Sequence, residues 1–179
     1  NFTTIRSLLN EGISPMTLRF FVLQTNYRKP LDFTEEALRA ASKGWGKLNN
    51  CLSFGRKYFT EEIKETIKNK LNVNDQKVSK SSNLFEKFMD DDLNTSGALS
   101  VLFELSTSIR KLEKSIENNE QVSNLENYYK NWELLIELSS VLGLKEELIK
   151  DTNKTEIDKN QVNFLIEERS KAKIAKDFV

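Results

Sequence analysis

The chain has no histidine and a single cysteine, Cys51, and these two shortages remove much familiar catalytic machinery. No histidine-containing nucleophile dyad and no histidine-containing zinc site can be assembled from such a sequence. Proline is nearly absent as well, with two in 179 residues, and glycine is limited to six. With 30% charged residues, that composition favours long helices. The length is enough to bury a core without disulfides or metal. No stretch approaches the apolar length that spans a bilayer, so no membrane association and a cytosolic location are expected. Net charge is also missing, with 27 basic against 27 acidic residues, which at first argues against a nucleic-acid partner.

The charges are nevertheless unevenly placed. Residues 1–80 hold 14 Lys/Arg and 8 Asp/Glu, whereas residues 81–179 hold 13 and 19. The chain is basic in its first half and acidic in its second. Phosphate contacts are therefore expected in the first half, with the second acting mainly as scaffold; a chance split across solvated helix faces is the plainer alternative.

Local signals predict a series of helices. Thr3 or Thr4 can cap a short helix that Gly12 ends, and Ser14 caps a second with Pro15 at its first position, where no hydrogen bond is lost. Residues Met16 to Leu23 are apolar nearly all round except Thr17 and Arg19, which predicts a buried helix. Arg19 in that setting must pair or snorkel, and a structural salt bridge is expected. Pro30 breaks the pattern over Thr25 to Asp32. Thr34 then caps a third helix whose stripe, Leu38, Ala41, Trp45, Leu48 and Leu52, recurs at helical spacing and marks a packing seam with Trp45 as a structural residue. Cys51 beside it is expected to fill core. Gly44-Trp45-Gly46 lies inside this stripe and is no phosphate loop.

Asn72 to Asn83 is polar and aperiodic and reads as a loop. Asp90, Asp91 and Asp92 precede a helix capped by Asn94 or Thr95, with a buried face of Ala98, Leu99, Leu102, Leu105, Ile109, Leu112 and Ile116. The three carboxylates are better explained by helix-start electrostatics than by a metal. A further helix runs from Leu125 to Gly143, and a last one carries Val162, Leu165, Ile166, Arg169 and Ala172.

Four blocks in order carry a family resemblance: NFTTIRSLL (Asn1–Leu9), ISPMTLRFFVLQTNYRKPLDFTEEALRAA (Ile13–Ala41), FMDDDLNTSGALSVLFEL (Phe88–Leu105) and LIEERSKAKIAKDF (Leu165–Phe178). Together they resemble the region of bacterial cysteinyl-tRNA synthetases that follows the KMSKS signature for ATP. The resemblance implies an all-α fold, an antiparallel helical bundle of the class I synthetase anticodon-binding type. It divides the chain into a stem-contact region, 1–32, and a helical-bundle tRNA-binding domain, 33–179, truncated at both ends. Lys77 to Ser81 read KVSKS, but with no HIGH signature and no strand-helix alternation around them they are a decoy.

What the resemblance implies for function is a ligase that joins cysteine to tRNA(Cys) using ATP, with zinc holding the cysteine thiolate and a monomeric full-length protein. This stretch would hold no catalytic residue and no metal ligand, would be inactive alone, and would position the tRNA. Within that picture Arg6, Tyr27, Arg28 and Lys29 are the candidate tRNA contacts, since they join phosphate donors to an aromatic ring at a helix break. Arg6 paired to a local carboxylate and Tyr27 filling the joint are the structural alternatives. A nonenzymatic helical interaction module, or the related cysteine ligase of mycothiol synthesis, are the alternative functions.

Overall fold

The computed structural model describes residues 3–68, 76–147 and 169. Residues 1–147 form one compact unit and 148–179 a second; in the second only residue 169 is described, and it is helical. The expected last helix and the charged stretch before it therefore lie outside the described residues, apart from that one position.

The described residues contain seven helices and no strand, as the all-α reading requires: α1 (Ile5–Asn10), α2 (Pro15–Leu23), α3 (Glu35–Tyr58), α4 (Glu61–Lys68), α5 (Gln76–Asp90), α6 (Thr95–Glu117) and α7 (Leu125–Val141). Starts are fixed by side-chain caps. Thr4, Ser14, Thr34 and Asn94 accept hydrogen bonds from the third backbone N–H beyond them, at Ser7, Thr17, Ala37 and Gly97, which satisfies donors the helix leaves open. Gly12 and Gly143 follow α1 and α7 with φ of +86° and +67°, values glycine takes without a Cβ clash.

The core lies where α3, α6 and α7 meet, with α2 and α5 packed on its flanks. The α3 stripe is fully used: Leu38, Ala41, Trp45, Leu48 and Leu52 are all buried. On α6 the expected face is buried from Ala98 to Leu112, with Ile116 half-buried at its end. Cys51 is sealed between α3 and α6, where its thiol donates to the Ser106 carbonyl at 3.5 Å, and burial pushes its pKa up to about 11. Two glycines let helices approach closely: Gly55 of α3 faces the Trp132 indole of α7, and Gly97 of α6 faces the Phe88 ring of α5.

Three expectations need correction. The segment read as a loop over 72–83 is helical from Gln76. Helix α2 is buried on one face only, since Phe20 and Phe21 enter the core while Val22 is 58% exposed and Arg19 faces solvent. Arg19 makes no ion pair with a described residue; its guanidinium instead covers Gly143, where an added Cβ would sit 2.7 Å from Nη1. The guanidinium thus lies over the glycine while the side chain as a whole stays exposed.

Residues Leu144 to Glu147 are clasped onto α2 and α3. Asn49 is buried and pairs twice with the Glu147 backbone, donating from Nδ2 to the carbonyl and accepting from the N–H, both at 2.9 Å. The Glu147 carboxylate accepts from Trp45 Nε1 at 2.8 Å and from Ser14 Oγ at 2.9 Å. Arg56 pairs with Glu146 beside them.

Candidate nucleic-acid interface

The break between α2 and α3 is built by local hydrogen bonds. The Asn26 side chain accepts from the Arg28 N–H and the Asn26 carbonyl from the Lys29 N–H, each at 2.9 Å, so the chain turns before Pro30 stops it from resuming a helix. Phe33 returns edge-on against Phe21, with ring centroids 5.4 Å apart.

This joint is tied to the turn between α5 and α6. Thr95 donates from its hydroxyl to the Leu23 carbonyl at 2.7 Å. Tyr27 donates to Asp92 Oδ1 at 2.8 Å, Arg28 Nη2 reaches the same oxygen at 3.0 Å, and Arg28 Nε lies 2.9 Å from Oδ2. Arg28 Nε also donates to the Tyr27 hydroxyl at 2.9 Å, and the guanidinium lies 5.3 Å from the Tyr27 ring centre.

The three carboxylates are therefore placed differently from the helix-start reading. Asp90 ends α5, Asp91 and Asp92 form the turn, and the first turn of α6 contains no acid. Asp92 serves as the counter-charge of Arg28, a partner 64 residues away. Among the described residues no group of histidine, cysteine or acidic side chains could hold a metal.

Of the four candidate contacts, the structure brings together Tyr27 and Arg28 and leaves Lys29 exposed beside them. Tyr27 is 62% exposed, so it does not fill the joint. Arg6 is also exposed, on α1, and neither it nor Lys29 makes an ion pair with a described residue. Around the joint Val22, Leu31, Phe33 and Leu93 are exposed as well, so the basic group sits among apolar surface. A second basic row was missed by reading the break alone: Arg39, Lys43 and Lys47 are exposed on α3 four residues apart. Spacing of i, i+4, i+8 was the available signal. Arg39 is held by Glu35 at 2.9 Å.

Chemically this surface combines exposed cationic side chains with an exposed aromatic ring, the groups that phosphate contact and base stacking require. An exposed pair such as Arg28–Asp92 contributes about 0–1 kcal/mol, so a phosphate can displace Asp92 at low cost.

Comparison with known proteins fits this geometry. Residues 84–146 match the DALR domain model, which spans the C-terminal half of α5 and all of α6 and α7. A cysteine–tRNA ligase of Prochlorococcus marinus (strain NATL1A) is 57% identical across 100% of this chain, and that of strain NATL2A is equally similar. A third, from strain MIT 9303, is 40% identical across 99% of it. The chain matches the C-terminal part of cysteine–tRNA ligases. It spans about two fifths of their length, 39% for each of these three. The DALR domain is of the helical anticodon-binding type, in agreement with the helical core found here. Among the described residues no helix is long and apolar enough to cross a membrane.

Proposed function

We propose that this chain is the tRNA-positioning part of a cytoplasmic, monomeric cysteine–tRNA ligase, which joins cysteine to tRNA(Cys) using ATP. The observation that supports it is the match over the whole chain at 57% identity, joined to an exposed basic and aromatic group at the α2–α3 joint. The groups that bind ATP, and a zinc ion holding the cysteine thiolate, belong to the rest of such an enzyme, and these 179 residues alone are inactive. Residues 1–32 act as the stem-contact region and 33–179 as the tRNA-binding bundle.

The chain's contribution to catalysis is orientation. Holding the tRNA body fixes where its acceptor end lies, and a misplaced end loses near-attack geometry even when every reacting group is intact. Arg6, Arg28 and Lys29 supply phosphate contacts, and Tyr27 offers a ring against the sugar or an unpaired base.

The test is made in the full-length enzyme with Arg28→Ala and Lys29→Ala combined. Affinity for tRNA should fall, and the slope of log K against log salt should shrink by roughly 0.7 to 0.9 for each phosphate contact removed. Cysteine activation without tRNA should stay near normal. A folded variant with unchanged affinity and unchanged salt slope would show that the joint is only a structural turn.

A further inference from the structure

A second surface has the composition of an RNA site and lies in the acidic half of the chain. Between α5, α6 and α7 is an open cleft of about 610 Å³, within the range of roughly 300–1,000 Å³ that small ligands occupy. Most of the residues lining it are polar, where packed helices usually meet through apolar side chains, with Leu105 and Tyr128 supplying apolar surface. Helix α7 buries Tyr129, Trp132 and Leu135 in the core and turns a different face to the cleft, carrying Asn127 and Asn131 beyond the cap residue Asn124. The three asparagines stand at i, i+3 and i+7.

A carboxamide presents a donor and an acceptor side by side, the pattern that reads a base edge. Asn131 uses its Nδ2 on Ser108 at 3.0 Å. Asn124 has no side-chain cap bond, and the Asn127 side chain makes no hydrogen bond with a described residue. Tyr128 places a half-buried ring in the same wall, and a ring accepts any base by stacking. Across the cleft are the exposed amines of Lys80 and Lys111, with Glu104 as the one acid in the lining. Neither lysine makes an ion pair with a described residue.

We propose that this cleft binds one unpaired RNA nucleotide, with its phosphate at Lys80 and Lys111 and its base against Tyr128, Asn124 and Asn127. The proposal rests on the reading that the chain binds tRNA, and it places a second contact away from the α2–α3 joint.

The full chain is tested with a ten-nucleotide single-stranded RNA of mixed sequence containing 4-thiouridine, with the same sequence as a duplex, and with inorganic phosphate. Light should crosslink the single strand to α7, and neither the duplex nor phosphate should compete effectively. Lys111→Gln should reduce the salt slope by about 0.7, the value for one phosphate on a single strand. Asn127→Leu should weaken binding roughly tenfold with the slope unchanged. Both positions are exposed, so circular dichroism should be unaltered; Lys80→Gln gives an independent variant if either one misfolds. Equal competition by inorganic phosphate would reduce the cleft to an anion site and overturn the proposal. If the cleft variants bind tRNA normally while the Arg28→Ala, Lys29→Ala protein does not, the cleft proposal falls and the joint reading stands. If the unaltered chain binds neither RNA nor tRNA, both fall.

Discussion

Three glycines of one helix provide a graded test of the packing around α3. An alanine at Gly46 would meet nothing within 4 Å, so Gly46→Ala should show only the helix-propensity gain, a stabilisation of about 0.5–1 kcal/mol. An alanine at Gly44 would place its Cβ 2.8 Å from Phe20 Cε1 and 3.1 Å from Cζ. Phe20 is fully buried and sits edge-on to Phe103 at 6.0 Å, yet only the far end of one ring must yield, so the gain and the strain nearly cancel. At Gly55 the added carbon would overlap Trp132 Cδ1 and Nε1 and lie 2.6 Å from Cε2. That indole cannot swing away, because its N–H donates to the Leu52 carbonyl at 3.1 Å and its ring packs 5.4 Å from Phe59. The helices must part, and overpacking of this kind costs up to about 3 kcal/mol or somewhat more. After the propensity gain, Gly55→Ala should destabilise by roughly 2–3 kcal/mol. Urea denaturation followed by circular dichroism gives all three values under one set of conditions. The order Gly46, Gly44, Gly55 is the prediction, and a Gly55→Ala protein as stable as the parent would refute the α3–α7 contact described here.

Trp45→Ala should cost about 3–5 kcal/mol because it empties a buried indole site, whereas Trp45→Phe keeps most of the burial and loses the bond to Glu147, about 1–2 kcal/mol; thermal unfolding separates them, and unchanged stability in the alanine variant would place the stripe at the surface. Cys51 should resist alkylation at pH 8 until the protein unfolds. Its folded pKa of about 11 lies above the ordinary value of 9.0, so the unfolded chain loses the proton first as pH rises. The thiol's contribution is therefore fully present below pH 9 and is lost towards pH 11, by up to about 2 kcal/mol. Denaturant melts at pH 8 and pH 11 should show a larger loss in the parent than in Cys51→Ala, which keeps the similar loss expected from Tyr129, whose hydroxyl is held above its ordinary range by burial and by Glu133.

What could be read from the sequence was what short-range chemistry decides. Ser14 with Pro15, Thr34 and Asn94 announce helix starts because a cap acts on residues three positions away, and the Leu38–Leu52 stripe follows from helical period alone. Helix α5 was harder. Apart from Val78 its apolar residues, Leu84, Phe85, Phe88 and Met89, come late, so its first turns carry no hydrophobic period of their own, and the helix packs against α6 and α7. At the candidate interface the residue types were visible, but the pairing of Tyr27 and Arg28 with Asp92 was not, since the partners are 65 and 64 residues apart. The family resemblance supplied the fold, and only the folded chain assigned Asp92 to Arg28 and left Lys29 exposed. The asparagine face of α7 escaped notice because the apolar stripe beside it drew the reading.

The clasp on Glu147 also bears on the order in which the molecule assembles. Its bonds join residues 98, 102 and 133 positions apart, and a chain must close large loops before any of them can form. Contacts between successive helices, α2 with α3 and α6 with α7, need no such closure, whereas the α3–α7 contact that joins Trp132 to Leu52 also closes a loop of 80 residues. If the clasp closes after the core has packed, its bonds are absent from the folding transition state, and such interactions act on the rate of opening rather than the rate of closing. Ser14→Ala and Asn49→Ala are then expected to raise the unfolding rate more than they slow refolding, which stopped-flow measurements in denaturant would check.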